Sequence, residues 1–315
     1  MTWDLVPVLL LSVPITVVDR VAAFVLAQPR LTLDGLSMKR VGRLRLHNYR
    51  DSLQIRVEDM APVGKWNQSG LRSSPSGSHG RDMLNWIDAE GVAHIAPADS
   101  RATGLGLDRA RVCRQAIKYP HRRNYEGYYW FSRTGQHLWY ESLTEYTALM
   151  WLDFSQAIVG ISTQPFCIVF ADGALHFPDI FAVLEDGTQS LYDVRPQSLI
   201  DEKPAQLFAK TRGVCEHIGW PYQILGELEQ PMRHNLEWLA AYRHPRYRPS
   251  PEVRENIANC LTTPAKLLEV AQAVNAKAPA FGIHYVYNLL WTRDLHADLA
   301  RPLSWSTYLE RGDSV

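Results

Sequence analysis

The sequence predicts an α/β protein whose central part is a helix, three antiparallel strands, a second helix and a further strand. Three observations predict this order. A broad apolar pattern of helical period lies near residue 146, apolar strand-like runs follow around Asp-Gly turns at 172–173 and 186–187, and a second helical pattern ends near Gly219. Helices and strands in this order form a layered α/β or α+β domain.

Length and composition divide the chain into three parts. At 315 residues it has room for two or three domains. Residues 1–110 are predicted to be mostly β, with a flexible loop at 67–82 that is rich in Ser, Gly and Pro. Residues 111–245 are predicted to form the central domain and residues 246–315 a helical domain that ends in a small wing, which favours a winged helix. The helical stretches of this last part lie near 251–260, 264–274 and 280–292.

Each element of the central domain has a local signal. An aromatic hairpin turns at residues 133–136, and a helix with a broad apolar face runs from about Ser142 to Leu152. The predicted strands are "AIVGIST", "PFCIVFADGALHF" and "DIFAVLEDGTQSLYDVR", followed by the helix "AQLFAKTRGVCEHIGW" and the strand "PYQILGE". Before this domain, "MLNWIDAEGVAHIAP" has the pattern of two strands around a Glu-Gly turn.

The composition excludes functions that depend on a global charge or on clustered cysteines. Lys and Arg number 33 and Asp and Glu number 33, so any attraction to nucleic acid or membrane must come from local clusters. The four cysteines lack a CxxC or a His-Cys spacing for zinc, which fits a reducing cytosol. The apolar N-terminus carries Asp4 and is broken by Pro7 and Pro14, so we expect buried extended structure, no membrane segment and a cytoplasmic protein.

Two aspartates stand in strongly apolar segments on either side of the turn at 186–187. Asp179 and Asp193 are nearly symmetric about this turn, so antiparallel pairing can bring their Cβ atoms to roughly 5 Å. Arg195 shares a strand face with Asp193 by the two-residue period. Like charges this close repel each other unless a metal ion or a proton lies between them. One face of the hairpin is therefore predicted to gather two carboxylates and a guanidinium.

Carboxylates in this arrangement suit a hard cation. Mg²⁺ takes oxygen ligands and keeps some of its waters, which fits two carboxylates and a substrate phosphate. Such an ion lowers the pKa of a bound water and clamps phosphoryl oxygens, while a neighbouring positive side chain stabilises charge in the transition state. These are the groups that phosphodiester hydrolysis requires.

Four short motifs, in order, resemble those of one nuclease family. The "PD" that ends at Asp179 and the "DVR" that ends at Arg195 resemble the PD-(D/E)xK motif, with Arg in place of Lys. The segments "SLTE", "TQPF", "FPDIF" and "YDVRP" are similar to those of the TnsA-like endonuclease subunits of heteromeric transposases. The similarity covers about residues 125–245, and the C-terminal "YNLLWTRDLHADLARPLS" is also like the end of such proteins.

The resemblance implies a restriction-endonuclease-like fold and Mg²⁺-dependent cleavage of DNA at transposon ends. It implies that Glu145, Asp179 and Asp193 are catalytic and bind one or two Mg²⁺ ions, with the Val194 carbonyl as a further ligand, and that Mn²⁺ substitutes. Arg195 would orient the attacking water or stabilise charge, but it cannot act as a base because a guanidinium keeps its proton. The implied partners are double-stranded DNA, a DDE-type transposase subunit and an AAA+ ATPase regulator.

The candidate residues also have structural interpretations. The "SLTE" segment that ends at Glu145 fits a capping box before an apolar helix. Asp179 follows a proline and fits a strand start, and Asp193 fits an ion pair with Arg195 on an exposed edge strand. His176 is typical of a half-buried strand histidine.

A basic segment before the aromatic hairpin supplies candidates for DNA binding. They are Arg114, Lys118, Arg122 and Arg123, together with Gln164 of the "TQPF" segment. A solvated charged face is the alternative for the basic residues, and a hydrogen bond to nearby backbone is the alternative for Gln164. For the whole protein, two alternatives to a transposition endonuclease stay open: a restriction or defence nuclease, and a catalytically decayed DNA-binding scaffold.

Overall fold

A computed structural model describes residues 80–114 and 125–312, all within one compact unit. The predictions for residues 1–79 lie outside the described residues, and with them nearly all of the Ser- and Gly-rich loop. Lys118, Arg122 and Arg123 also lie outside them.

The elements follow one another in the predicted order. The strands β1 (Met83–Ile87), β2 (Ala93–Pro97), β3 (Gly127–Phe131) and β4 (Gln136–Tyr140) come first. Helix α1 (Leu143–Ser155) precedes β5 (Ile158–Thr163), β6 (Phe166–Val169), β7 (Leu175–His176), β8 (Ile180–Leu184) and β9 (Gln189–Val194). Then come α2 (Glu202–Ile218), β10 (Tyr222–Leu225), α3 (Met232–Ala240), α4 (Pro251–Cys260), β11 (Ala265–Lys266), α5 (Leu267–Val274), α6 (Pro279–Thr292), β12 (Leu295–His296) and β13 (Tyr308–Arg311).

The central sheet has the strand order β10-β9-β8-β5. Strands β5, β8 and β9 are antiparallel neighbours, and β10 joins β9 in parallel after the crossover through α2. The mixed α/β fold is therefore confirmed, with a helix, three antiparallel strands, a helix and a strand. The turn between β8 and β9 forms at the predicted position, where Gly187 has a φ of 84° that a side chain would disfavour.

One strand prediction differs from the structure. The segment 166–176, with its turn at 172–173, is predicted as part of one meander with the strands around it. The turn forms, but the resulting hairpin β6-β7 belongs to a second sheet of order β2-β1-β6-β7. Gln164 has a φ of 46° and the residue after it, Pro165, has no N–H, so the ladder with β8 stops and the chain leaves the central sheet. The hairpin then pairs with β1, with Met83 opposite Val169.

Two apolar cores cover the two faces of the central sheet. Strand β9 places Tyr192 in the core that contains Leu149 of α1, and it places Leu191 in the core that contains Ile218 of α2. The second core also contains Leu84 of β1, so residues on both sides of position 110 share one core. Strand β9 lies between β8 and β10, and both of its faces are packed. Its buried polar residues must therefore find partners inside the protein.

The C-terminal part has three helices and a small antiparallel sheet. Helices α4, α5 and α6 lie close to the predicted stretches, and Ile257, Val270 and Leu289 bury against the core that contains α1. The wing has three strands, in the order β11-β13-β12, rather than the two predicted. Within residues 80–114 and 125–312, no helix combines the length and the apolar character needed to cross a bilayer.

Candidate active site

The register of β8 and β9 makes Asp179 and Asp193 neighbours. Ile180 lies opposite Tyr192 in this antiparallel pair, so Asp179, which precedes Ile180, lies beside Asp193, which follows Tyr192. Asp179 stands immediately before β8, as expected of a residue at a strand start, and Asp193 is the last residue but one of β9. The hairpin therefore brings the two carboxylates together, as its symmetry predicts.

Asp179 is half-buried and only partly satisfied. Its Oδ2 accepts a hydrogen bond of 2.7 Å from the Val194 N–H, and among the described residues its Oδ1 accepts none. Burial, followed by the negative charges of Asp193 and Glu145, raises the pKa of Asp179 well above its usual value. The Val194 hydrogen bond and the charge of Arg114 lower it only in part. Asp179 is thus close enough to two other acids, Asp193 and Glu145, for their charges to raise its pKa.

Asp193 is almost completely buried, with 1% of its surface exposed. Its Oδ2 accepts two hydrogen bonds, one of 2.8 Å from His176 Nε2 and one of 2.5 Å from the Tyr222 hydroxyl. No described residue donates to its Oδ1. The alternative that Asp193 pairs with Arg195 on an edge strand is wrong, because β9 lies between β8 and β10 and the carboxylate has other partners.

Glu145 forms the capping box that its segment predicts. The Ser142 Oγ accepts from the Glu145 N–H at 3.2 Å, and Glu145 Oε2 accepts from the Glu141 N–H at 2.8 Å. Glu145 Oε1 also accepts from the Ser142 hydroxyl at 3.0 Å. Burial raises the pKa of Glu145, and the hydrogen bonds from the Glu141 N–H and the Ser142 hydroxyl lower it in part. A carboxylate offers about four lone pairs, so the cap leaves capacity for a further ligand.

The two arginines near the acids have different positions. Arg195 is exposed, and its Nε donates to the Leu199 carbonyl at 3.2 Å. Arg114 is also exposed, with its guanidinium carbon 5.9 Å from the centre of the Phe177 ring. Burial raises the pKa of both Asp179 and Glu145, and the charge of Arg114 lowers both in part. Arg114, which the sequence suggests only as a DNA contact, therefore stands beside the acids.

The backbone of Gln164 is hydrogen-bonded to two other segments of this site, at Asp179 and at Cys113. Its N–H donates to the Asp179 carbonyl at 2.8 Å, and its carbonyl accepts from the Cys113 N–H at 2.8 Å. The residue has the left-handed φ noted above, which costs roughly 1–3 kcal/mol for a residue other than glycine. The residue is 4% exposed, and its Oε1 is buried without a hydrogen-bond partner in the part of the chain that the structure describes. The predicted side-chain bond to neighbouring backbone is not formed by this oxygen.

The chemistry of the donors suits Mg²⁺, although no closed cage is preformed. All the candidate ligands are oxygens, and both aspartates keep one oxygen to which no residue of 80–114 or 125–312 donates a hydrogen bond. In the described part of the chain, no three His, Cys, Asp or Glu side chains are arranged as a metal site. Mg²⁺ commonly uses one or two carboxylates and completes its shell with water and substrate phosphate. The two aspartates fit that mode of binding.

Sequence reasoning missed the partners of Asp193. It treats His176 as half-buried and gives Tyr222 no role, whereas both are buried and donate to the same carboxylate oxygen. The only local signal for either was a polar group in an apolar strand. The three residues come from β7, β9 and β10, so their convergence depends on the topology of two sheets.

Comparison with known proteins gives no further assignment. No protein-family model matches the chain, and no curated protein is significantly similar to it.

Proposed function

We propose that this protein is a Mg²⁺-dependent DNA endonuclease that acts as the TnsA-like, strand-cleaving subunit of a heteromeric transposase. The observation that carries the proposal is the pair formed by Asp179 and Asp193. Their carboxylates are neighbours in the sheet, and each keeps one oxygen without a hydrogen bond from any described residue. The charge of Asp193 raises the pKa of Asp179 on top of the effect of burial. A cation between them would relieve that repulsion.

The proposed ligands are the carboxylates of Asp179, Asp193 and Glu145 and the carbonyl of Val194. When bound, Mg²⁺ would supply an activated water and a clamp on the phosphoryl oxygens, and Mn²⁺ would substitute for it. Arg195 keeps its proton and therefore provides positive charge, either to orient the water or to stabilise the transition state. These roles come from the resemblance together with the positions of the side chains.

The proposed substrate is double-stranded DNA. Arg114 is exposed beside the acids and can contact a phosphate. The backbone of Gln164 is bonded both to Cys113, the residue before Arg114, and to Asp179. Lys118, Arg122 and Arg123 complete the predicted set of DNA contacts. The proposed partners are the DDE-type transposase subunit and the AAA+ ATPase regulator, and we expect cleavage to depend on them.

A pair of substitutions at Glu145 separates its two roles. Glu145→Gln keeps an acceptor for the capping box but removes the charge, so we expect no loss of stability and DNA cleavage lowered by about 10- to 100-fold. Glu145→Ala also loses the cap and should lower the free energy of unfolding by about 1 kcal/mol. Thermal melts and cleavage assays of the assembled transposase measure both effects. Full cleavage by Glu145→Gln would show that Glu145 is only a cap.

Substitutions at Arg195 test the basic position. Arg195→Lys restores the residue usual in the motif and should keep cleavage within about 10-fold, whereas Arg195→Ala should lower it by about 100-fold because a charge near the transition state is lost. Neither should change the melting temperature, since the side chain is exposed. The exposed Arg246→Ala serves as the control. If Arg195→Ala cleaves as well as wild type, the proposed role of Arg195 is wrong.

A further inference from the structure

The carboxylate of Asp193 has an unequal set of partners. Two donors, His176 Nε2 and the Tyr222 hydroxyl, reach the same oxygen, Oδ2, while Oδ1 has no donor in residues 80–114 or 125–312. An ionised carboxylate can only accept, so both groups act as donors here. Two bonds to one oxygen fix the torsion of the carboxylate about its last bond. The other oxygen therefore has a fixed direction.

As a residue, Asp193 is buried, with 1% of its surface exposed. Its Oδ1 is nevertheless not one of the described side-chain oxygens that are both sealed from solvent and without a hydrogen bond, so a ligand can reach it. Its neighbour in the sheet is Asp179, which also has one oxygen that accepts no hydrogen bond from the described residues. A purely structural network would place donors on both oxygens, as four hydrogen bonds do around the buried Asp153.

We propose that His176 and Tyr222 are positioning residues that orient Asp193, so that Oδ1 serves as its single metal-binding oxygen. This inference rests on the proposed function. Residues that bond to a metal-binding carboxylate from behind commonly change metal affinity by about 10- to 100-fold when they are removed. Neither residue contacts the metal or the DNA in this proposal, and both act through Asp193.

Helix α2 holds both donors in place. Phe208 packs edge-on against the His176 ring with the ring centres 6.2 Å apart, and the Arg212 guanidinium lies 5.2 Å from the centre of the Tyr222 ring. Tyr222 stands on β10, which pairs in parallel with β9 and places Gln223 opposite Tyr192. The crossover helix and the strand after it therefore determine the direction of the metal-binding oxygen.

The test is the affinity for Mn²⁺, measured by electron paramagnetic resonance on the full chain with a duplex bound. Tyr222→Phe removes one donor and keeps the ring, and His176→Ala removes the other. We expect each to weaken Mn²⁺ binding by about 10- to 100-fold. His176→Gln returns a nitrogen donor and should recover most of the affinity. Tyr192→Phe is the matched control, because this buried tyrosine is the neighbour of Asp193 on the opposite face of β9.

The outcomes separate this inference from the proposed function. If wild type binds Mn²⁺ and both Tyr222→Phe and His176→Ala bind it equally well while folded, as judged by their melting curves, the positioning role is overturned and the metal site stands. If wild type binds no Mn²⁺, the metal site and the positioning role fall together. Should Tyr222→Phe not fold, His176→Ala together with His176→Gln decides the matter. Should His176→Ala not fold, Tyr222→Phe decides it alone.

Discussion

Asp179→Asn is expected to abolish DNA cleavage and to make the protein more stable at pH 8. The loss of a metal-binding carboxylate should lower cleavage by about 100- to 1000-fold, since a bound metal ion contributes several kcal/mol to transition-state stabilisation. The gain in stability has a separate cause. Burial and the charges of Asp193 and Glu145 raise the pKa of Asp179 well above its usual value, so the ionised form destabilises the folded protein.

The sign of this effect follows from proton linkage. The folded protein holds the Asp179 proton more tightly than the unfolded chain does, so stability falls as the pH rises above about 4. The loss is complete once the pH exceeds the raised pKa of the folded state. Asparagine carries no charge and can still accept the Val194 hydrogen bond, so Asp179→Asn should be more stable than wild type at pH 8 and differ little from it at pH 4.

Urea denaturation at the two pH values, in EDTA, measures the gain in stability. The control is Asp186→Asn, which changes an exposed turn aspartate whose pKa is lowered by the Thr188 N–H, and it should gain nothing at pH 8. Millimolar Mg²⁺ should stabilise wild type and not Asp179→Asn, because only wild type binds the ion. If Asp179→Asn is less stable than wild type at pH 8, or cleaves DNA as fast as wild type, the proposed role of this residue is refuted.

Asp153→Ala is expected to cause the largest loss of stability outside the candidate site. This aspartate is 1% exposed and accepts four hydrogen bonds, from the Tyr129 hydroxyl, the Ser132 N–H and hydroxyl, and the Arg133 N–H. Alanine would leave these buried donors unpaired, at a cost of about 3–5 kcal/mol. For a protein of this size, that corresponds to a decrease of roughly 10 °C in melting temperature.

Asp153→Ala should lower stability without changing metal binding. Asp153 lies near the C-terminal end of α1, whereas Ser142 caps the N-terminal end, so the folded fraction of Asp153→Ala should keep the Mn²⁺ affinity of wild type. Differential scanning calorimetry measures the loss of stability, and Asp298→Ala, at an exposed ion pair with Arg301, is the control with little expected effect. One kcal/mol corresponds to about 2–4 °C in melting temperature for a protein of this size. A melting temperature within about 2 °C of wild type would therefore contradict the proposed hydrogen-bond network around Asp153.

Local signals predicted much of the fold and the pairing of the two acids. The Asp-Gly turn at 186–187 fixes the register of β8 and β9, and the register alone makes Asp179 and Asp193 neighbours. The capping box at Ser142 likewise depends on four consecutive residues. Turns and helix caps depend on a few neighbouring residues, so they can be predicted from the sequence without coordinates.

The remaining features depend on contacts between distant segments. Hairpin β6-β7 joins β1, which lies far back in the chain, and no local pattern distinguishes that pairing from a place in the central sheet. Arg114 stands beside the acids because Cys113 donates to the backbone of Gln164. The donors to Asp193 come from two different sheets. The pattern of a strand indicates that a residue is buried, but not which residue it meets.

The most direct test of the account is the position of a bound metal ion in crystals grown with Mn²⁺ and a DNA duplex. The anomalous difference map should show a peak between the carboxylates of Asp179 and Asp193, within coordination distance of both, and the peak should disappear in Asp179→Asn. A map without that peak at millimolar Mn²⁺, or with the ion bound elsewhere, would contradict the proposed metal site and leave the protein without the proposed chemistry.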